Sequence, residues 1–181
     1  MRRLGIEAPI ESAGGVRTLL RDHTPGGWID DAPDGPFAYN IRREKLDPLL
    51  RQRAAETPGV DLQLGSRAVG VIEADGPTDG DRRIVGVRVE DREQQVRDVT
   101  ARLVVAADGR HSQLAKLAAV PEDSRDNTRV IYQAYFRGLS FPTSCAWVRE
   151  PRLNVLLPTD DGVTLLVCVV PRAEVDAFKS D

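Results

Sequence analysis

The stretch Val104-Val105-Ala106-Ala107-Asp108-Gly109-Arg110-His111-Ser112 restricts the fold more than any other part of the chain. Its apolar residues follow one another without the polar alternation of a half-wet strand, which predicts a strand covered on both faces, as in a parallel sheet. Asp-Gly taken alone is often the tip of a tight hairpin. The residues after Gly109 do not read as a returning strand. Ser112 is a suitable N-cap, and Leu114, Leu117 and Ala118 recur at helical spacing. The predicted order is strand, turn, helix. Ligands bind beyond the carboxyl ends of such strands, where helix N-termini also favour anions. Asp108 to Ser112 therefore marks the expected place of a phosphate-bearing ligand.

Other motifs fall in a definite order around this one. Arg43-Glu44-Lys45-Leu46 continues to Leu49-Leu50 and Ala54; Gly59-Val60, Ala68-Val69-Gly70-Val71 and Ile84-Val85-Gly86-Val87-Arg88-Val89 come next, before the Asp-Gly turn. Together they resemble the FAD-dependent aromatic hydroxylases, the flavoprotein monooxygenases typified by para-hydroxybenzoate hydroxylase. The resemblance implies an α+β or α/β fold: a partial, glutathione-reductase-like FAD-binding domain with an antiparallel β-meander over residues 1–120. The first strands of a mixed-sheet substrate domain would occupy 121–181. It implies FAD as cofactor, with Arg43, the main chain at Val69, Asp108 and Gly109 as cofactor contacts. NAD(P)H and O2 would be the co-substrates, and a small, aromatic molecule would be hydroxylated. A carboxylate beside phosphates repels them unless donors intervene, so water or Arg43 is expected between Asp108 and the pyrophosphate. For Arg43 alone, without the resemblance, an exposed helix-start arginine is the simpler reading, with Arg42 its rival. For Val69 the simpler reading is core packing, which a main-chain contact leaves intact.

The same resemblance shows what this sequence lacks. The family opens with a Gly-x-Gly-x-x-Gly turn whose amides cradle the pyrophosphate; here there are only Gly14-Gly15 and Gly26-Gly27. The later Gly-Asp motif has no match either. The sequence thus reads as an internal fragment, expected to bind FAD weakly or not at all and to be inactive unless a complementing chain supplies the glycine-rich segment. Sister flavoproteins, halogenases or isoprenoid reductases, are the alternative, although the halogenase signature Trp-x-Trp-x-Ile-Pro is absent. A non-catalytic remnant serving protein interaction is the third reading.

Composition bounds the rest. With 181 residues, 41% of them hydrophobic, the chain holds one domain or parts of two and can pack a core. Net charge is −3, with both signs interleaved, which argues against a nucleic-acid binder. No apolar run reaches bilayer length; Leu165–Val170 is a strand's worth. Cys145 and Cys168 are too few for a disulfide framework, and buried thiols in a cytoplasmic protein are expected. His23 and His111 are the only histidines, and no cluster has metal-ligand spacing. No residue qualifies as a catalytic acid, base or nucleophile, and His111-Ser112 are mere sequence neighbours.

Along the chain, Gly15–Leu20 and Ala38–Ile41 read as short strands, and Trp28 with Asp30, Asp31 and Asp34 as a surface loop. Leu46, Leu49, Leu50 and Ala54 predict a helix starting at Arg43 or, with Asp47 as cap, at Pro48. Thr57-Pro58-Gly59 stops it. Val60, Leu62 and Leu64 predict a strand. The segments around Val69–Val71, Val85–Val89 and Val99–Leu103 predict a meander that runs on into Val104–Ala107, with a loop over 75–81. After a polar boundary at 122–127 come strands over 130–137, 145–148, 153–157 and 163–170. A hairpin loop at Pro158–Gly162 joins the last two, and a helix begins near Arg172. Tyr132, Tyr135, Phe136 and Trp147 are candidates to line a substrate pocket.

Overall fold

The computed structural model describes residues 2–35, 37–75, 82–139 and 141–180. In chain order the elements are α1 (Glu7–Ser12), β1 (Val16–Thr18), β2 (Leu20–Thr24), β3 (Gly27–Asp30), β4 (Ala38–Asn40) and α2 (Arg43–Ala55). Next come β5 (Arg67–Asp75), β6 (Arg82–Glu90), β7 (Val96–Thr100) and α3 (Gln113–Leu117). The chain closes with β8 (Arg129–Arg137), β9 (Ser144–Arg149), β10 (Arg152–Pro158), β11 (Val163–Pro171) and α4 (Val175–Ser180). Contacts divide these into two compact units, residues 1–60 with 126–181, and residues 61–125.

The first unit is built on a six-stranded sheet in the order β3-β2-β9-β10-β11-β8. Only β2 and β9 run parallel, so the sheet is mixed, as the resemblance implies. The four C-terminal strands form where alternation placed them. The predicted loop at Trp28 does not: Gly27–Asp30 is a strand pairing with β2, His23 opposite Trp28. Of the Asp residues read as turn formers, Asp30 is the last residue of the strand, opposite Arg21, and Asp31 and Asp34 follow it. His23 and Trp28 meet edge to face at 4.9 Å, and Trp28 and Trp147 at 5.8 Å.

Buried apolar residues of this unit are Ile6, Ile10, Cys145, Ala146, Leu156, Val163 and Val170. Cys168, expected to be buried, is only half so; it sits opposite Tyr132 in the ladder, beside strand surface that is itself half-open. A polar knot fastens three strands: the Ser144 amide donates to Thr18 Oγ1 at 2.8 Å, and Asn40 Nδ2 donates to Ser144 Oγ at 2.9 Å. Gly14-Gly15 ends α1, the Gly15 amide donating to the Ile10 carbonyl at 2.9 Å.

Helix α2 starts at Arg43, the earlier of the two expected positions, and carries Pro48 inside it. Pro48 lacks an N–H, so the Glu44 carbonyl loses its i+4 donor at that turn. Leu46 and Leu49 are half-buried, Leu50 is exposed, and no residue of the helix is fully buried.

The second unit contains the expected meander, β5-β6-β7, antiparallel throughout. The predicted loop over 75–81 lies, from residue 76, outside the described residues. Two strand predictions are overturned here. Val60, Leu62 and Leu64 form no strand and are exposed; among the described residues no strand lies beside them to complete a ladder. The last meander strand does not run on through Val104–Ala107: β7 ends at Thr100. The Ala101 amide still donates to the Val85 carbonyl of β6 at 2.8 Å, but residues 102–107 have no strand partner among the described residues, and Leu103 and Val105 are 76% and 71% exposed. An apolar run becomes a strand only where another edge satisfies its amides and carbonyls.

Gly86 sits where β6 is most crowded. A Cβ there would collide with the Val99 carbonyl oxygen and approach the Thr100 Cα at 2.9 Å. Backbone cannot step aside as a flexible side chain can. Gly86→Ala is expected to destabilise the fold by roughly 1–3 kcal/mol, read as a lower urea midpoint with unchanged slope.

Candidate functional site

The Asp-Gly turn leads into α3, as predicted, and not into a hairpin. Ser112 is the N-cap: its Oγ accepts from the Ala115 amide at 2.9 Å. Asp108 reaches over the same turn. One carboxylate oxygen accepts from the Ser112 hydroxyl and the other from the Leu114 amide at 3.1 Å. The Ser112 hydrogen bond, with the Leu114 amide second, holds the Asp108 carboxyl below its usual range, so it is ionised at neutral pH. Asp108 is thus first a local capping residue, which the sequence reading missed. A carboxylate offers about four acceptor positions, so two remain for another partner.

Gly109 has φ +89°, and a Cβ built on it would meet nothing within 4 Å. Glycine is required by the backbone angle and not by crowding, and the space beside it is open.

Asp108 lines a cleft of about 850 Å³ with Ser66, Arg67, Val69, His111 and Leu114 among its walls. Val69 lies at a bulge in β5: Ala68 pairs with Val89 and Gly70 with Arg88, which leaves Val69 without a register partner. β5 is also an edge strand of its sheet. A bulge leaves its extra residue out of the ladder, so the Val69 main chain is available to a ligand. The structure therefore brings Val69 and Asp108, two of the sequence-predicted residues, to one cleft, with Gly109 next in the chain. The charged side chains of that lining are Arg67 and Asp108.

Arg43 belongs to the other unit. It is 83% exposed and grips Asp47 in a two-pronged ion pair, Nε–Oδ1 2.7 Å and Nη2–Oδ2 2.8 Å. This hydrogen bond pulls the Asp47 carboxyl down. Arg43 lines a cavity of about 260 Å³ with Arg42, Glu44, Tyr135, Phe136, Arg137 and Val163. Tyr135 and Phe136, two of the candidates to line a substrate pocket, both reach this cavity at the strand's end. Tyr132 does not line it; its ring packs 4.9 Å from Phe178 of α4.

Arg42, the rival of Arg43, has a structural role. Its amide donates to Asp160 Oδ1 at 2.8 Å, and its Nε and Nη2 donate to Asp160 Oδ2 at 2.9 and 2.7 Å. Lys45 Nζ stands 3.2 Å from the same oxygen. Burial alone would raise the Asp160 carboxyl; the donors from Arg42 and Lys45 more than reverse it, to about 2. The sequence signal for this cluster was Asp160-Asp161-Gly162, read only as a hairpin tip.

No group of His, Cys, Asp and Glu among the described residues could hold a metal ion. No helix among them is long and apolar enough to cross a membrane.

Comparison with known proteins agrees with the fold. The chondrochloren halogenase CndH of a myxobacterium, described as a variant of FAD-dependent halogenases, superposes with a TM-score of 0.75 at 25% identity, over 98% of this chain and 43% of that one. PqsL of Pseudomonas aeruginosa, described as a probable FAD-dependent monooxygenase, gives 0.75 at 19% identity, over 98% and 49%. The flavin-dependent brominase Bmp2, as a triple mutant, gives 0.76 at 18%, over 97% and 45%. The chain spans less than half the length of each of these. No curated protein matches it. The fold is thus one that FAD-dependent enzymes share. Residues 1–178 match the FAD binding domain family, and the chain belongs to it; its cofactor is FAD.

Two measurements check the local chemistry. Asp160 has a folded pKa below the ordinary 3.8, so its contribution is present above pH 4 and is lost as pH falls toward 2. A shift of that size corresponds to roughly 2 kcal/mol. Acid titration of the unfolding free energy should show this loss in the wild type and not in Asp160→Asn. Gly109→Ala should destabilise by roughly 1–2 kcal/mol, because a side chain at that φ is strained even in open space; thermal unfolding reads it.

Proposed function

We propose that the chain forms part of an FAD-dependent monooxygenase that hydroxylates a small, aromatic substrate with NAD(P)H and O2. The observation that carries this is the meeting of the Val69 bulge and the capped Asp108 at one cleft, with the left-handed Gly109 next to Asp108 in the chain. The residues present fit the adenosine and pyrophosphate end of the cofactor. A freed main chain suits an adenine edge, and a left-handed glycine beside open space suits a close backbone approach. When bound, FAD supplies the redox chemistry, and the protein binds, orients and shields it.

In this reading residues 1–120 serve the cofactor, and 121–181 open the sheet that faces the substrate. Asp108 fixes the loop through Ser112 and Leu114 and presents its remaining lone pairs through water. Arg43 offers its planar fork to the cofactor from the start of α2. Arg67 supplies the positive charge that the lining of the Asp108 cleft otherwise lacks. A chain carrying the glycine-rich phosphate turn is the proposed partner, pairing with the unsatisfied run 103–107. A cytoplasmic location goes with this reading, supported by the two free thiols.

The second reading is a halogenase. It is favoured by the halogenating enzymes among the structural neighbours. Trp28 and Trp147 are the only tryptophans, so the halogenase tryptophan signature is lacking in this sequence. Product analysis with and without halide separates the two readings.

Asp108→Ala and Arg43→Ala should each weaken FAD binding roughly tenfold, the scale of a lost charge-assisted hydrogen bond. Titration monitored by flavin fluorescence measures this. Wild-type affinity in both variants would remove the site assignment.

A further inference from the structure

Arg42 and Arg43 are neighbours in sequence with different duties. The guanidinium of Arg42 is engaged by Asp160, by Asp161 at 2.6 Å and by Glu44 at 2.6 Å, and its amide is held by Asp160 as well. It has no freedom to swing toward a ligand. Arg43 has a single carboxylate partner, Asp47, on an exposed helix surface. Exposed pairs of this kind contribute little, so an incoming anion can displace Asp47.

The cavity that Arg43 lines has two walls. One is the start of α2, with Arg42, Arg43 and Glu44; the other is the end of the sheet, with Tyr135, Phe136, Arg137 and Val163. Val163 pairs with Arg137 across β11 and β8. Asp160 stands three residues before Val163, in the turn that joins β10 to β11, with 1% exposure. It therefore belongs to the sheet wall by chain and to the helix wall by its bonds. Arg42 has no side-chain cap at the head of α2; the Asp160 carboxylate takes its amide instead. The third guanidinium at the cavity, that of Arg137, forms no ion pair among the described residues. Two guanidinium groups beside two rings suit an anion carried next to a flat ring.

We infer that Asp160 is a positioning residue for Arg43: by binding the Arg42 amide and guanidinium it fixes the first turn of α2 against the sheet and aims Arg43 into the cavity. The inference rests on the reading that Arg43 contacts FAD. Losing Asp160 would orphan the Arg42 amide and leave the Arg42 guanidinium to Asp161 and Glu44 alone, so the first turn of α2 would lose its tie to the buried end of the hairpin. Asp160→Asn keeps an acceptor for the amide and loses the charge, so it should retain more of the alignment than Asp160→Ala.

The test is a double-mutant cycle on the flavin-stripped protein, with FAD as the titrant and thermal unfolding recorded in parallel. Asp160→Ala is expected to weaken FAD about tenfold when Arg43 is present and less than about twofold when Arg43 is already alanine, with the same loss of melting temperature in both backgrounds. If Asp160→Ala does not fold, Asp160→Asn takes its place, with a loss of about threefold that likewise vanishes without Arg43. Equal losses in both backgrounds, or none, would overturn the inference. Unchanged FAD affinity in Arg43→Ala alone would instead overturn the underlying reading, and the inference with it.

Discussion

A carboxylate withdrawn from water at the tip of a hairpin organises the larger unit. Asp160 would be costly to bury alone. It is tolerable because Arg42 brings three donors and Lys45 stands close by. Burial of this kind is not by itself a source of large net stability, since desolvation offsets much of the attraction. The bonds of Asp160 tie the start of α2 to the turn between β10 and β11, residues far apart in the sequence.

The smaller unit uses the same chemistry at its surface. Asp108 caps a five-residue helix that has little else to hold it, since short helices are marginal in water. The capped turn in turn fixes Gly109 in a conformation other residues resist. Structural and ligand-facing duties are therefore not rivals at Asp108. The local bonds occupy two acceptor positions and orient the rest. A bulge does the corresponding work in β5, where an extra residue takes the Val69 main chain out of the ladder without breaking the strand.

Legibility of the sequence tracked the range of the forces involved. Period-two alternation in 130–137, 145–148, 153–157 and 163–170 revealed the strands of the mixed sheet, because each face is decided by local pattern. Ser112 was readable as a cap, and Gly109 as a turn. Strand pairing was not: Val60–Leu64 and Val104–Ala107 have strand-like residues, yet a strand exists only where a second backbone lies beside it. Trp28 was misplaced for the opposite reason, since aspartates masked a segment that a ladder to β2 holds. At the site, Asp108 and Val69 could be named from ordered motifs. The Arg42–Asp160 cluster could not, because it joins residues 118 positions apart whose types alone suggest only solvated charge.

The proposed seat of the cofactor is the cleft bounded by the Val69 bulge and the Asp108 turn. Amide hydrogen exchange with and without FAD probes it at the residues themselves. Slowed exchange confined in this unit to about 66–70 and 108–114 is the expected outcome. Protection elsewhere, with those amides exchanging at the same rate in both conditions while FAD is bound, would contradict it.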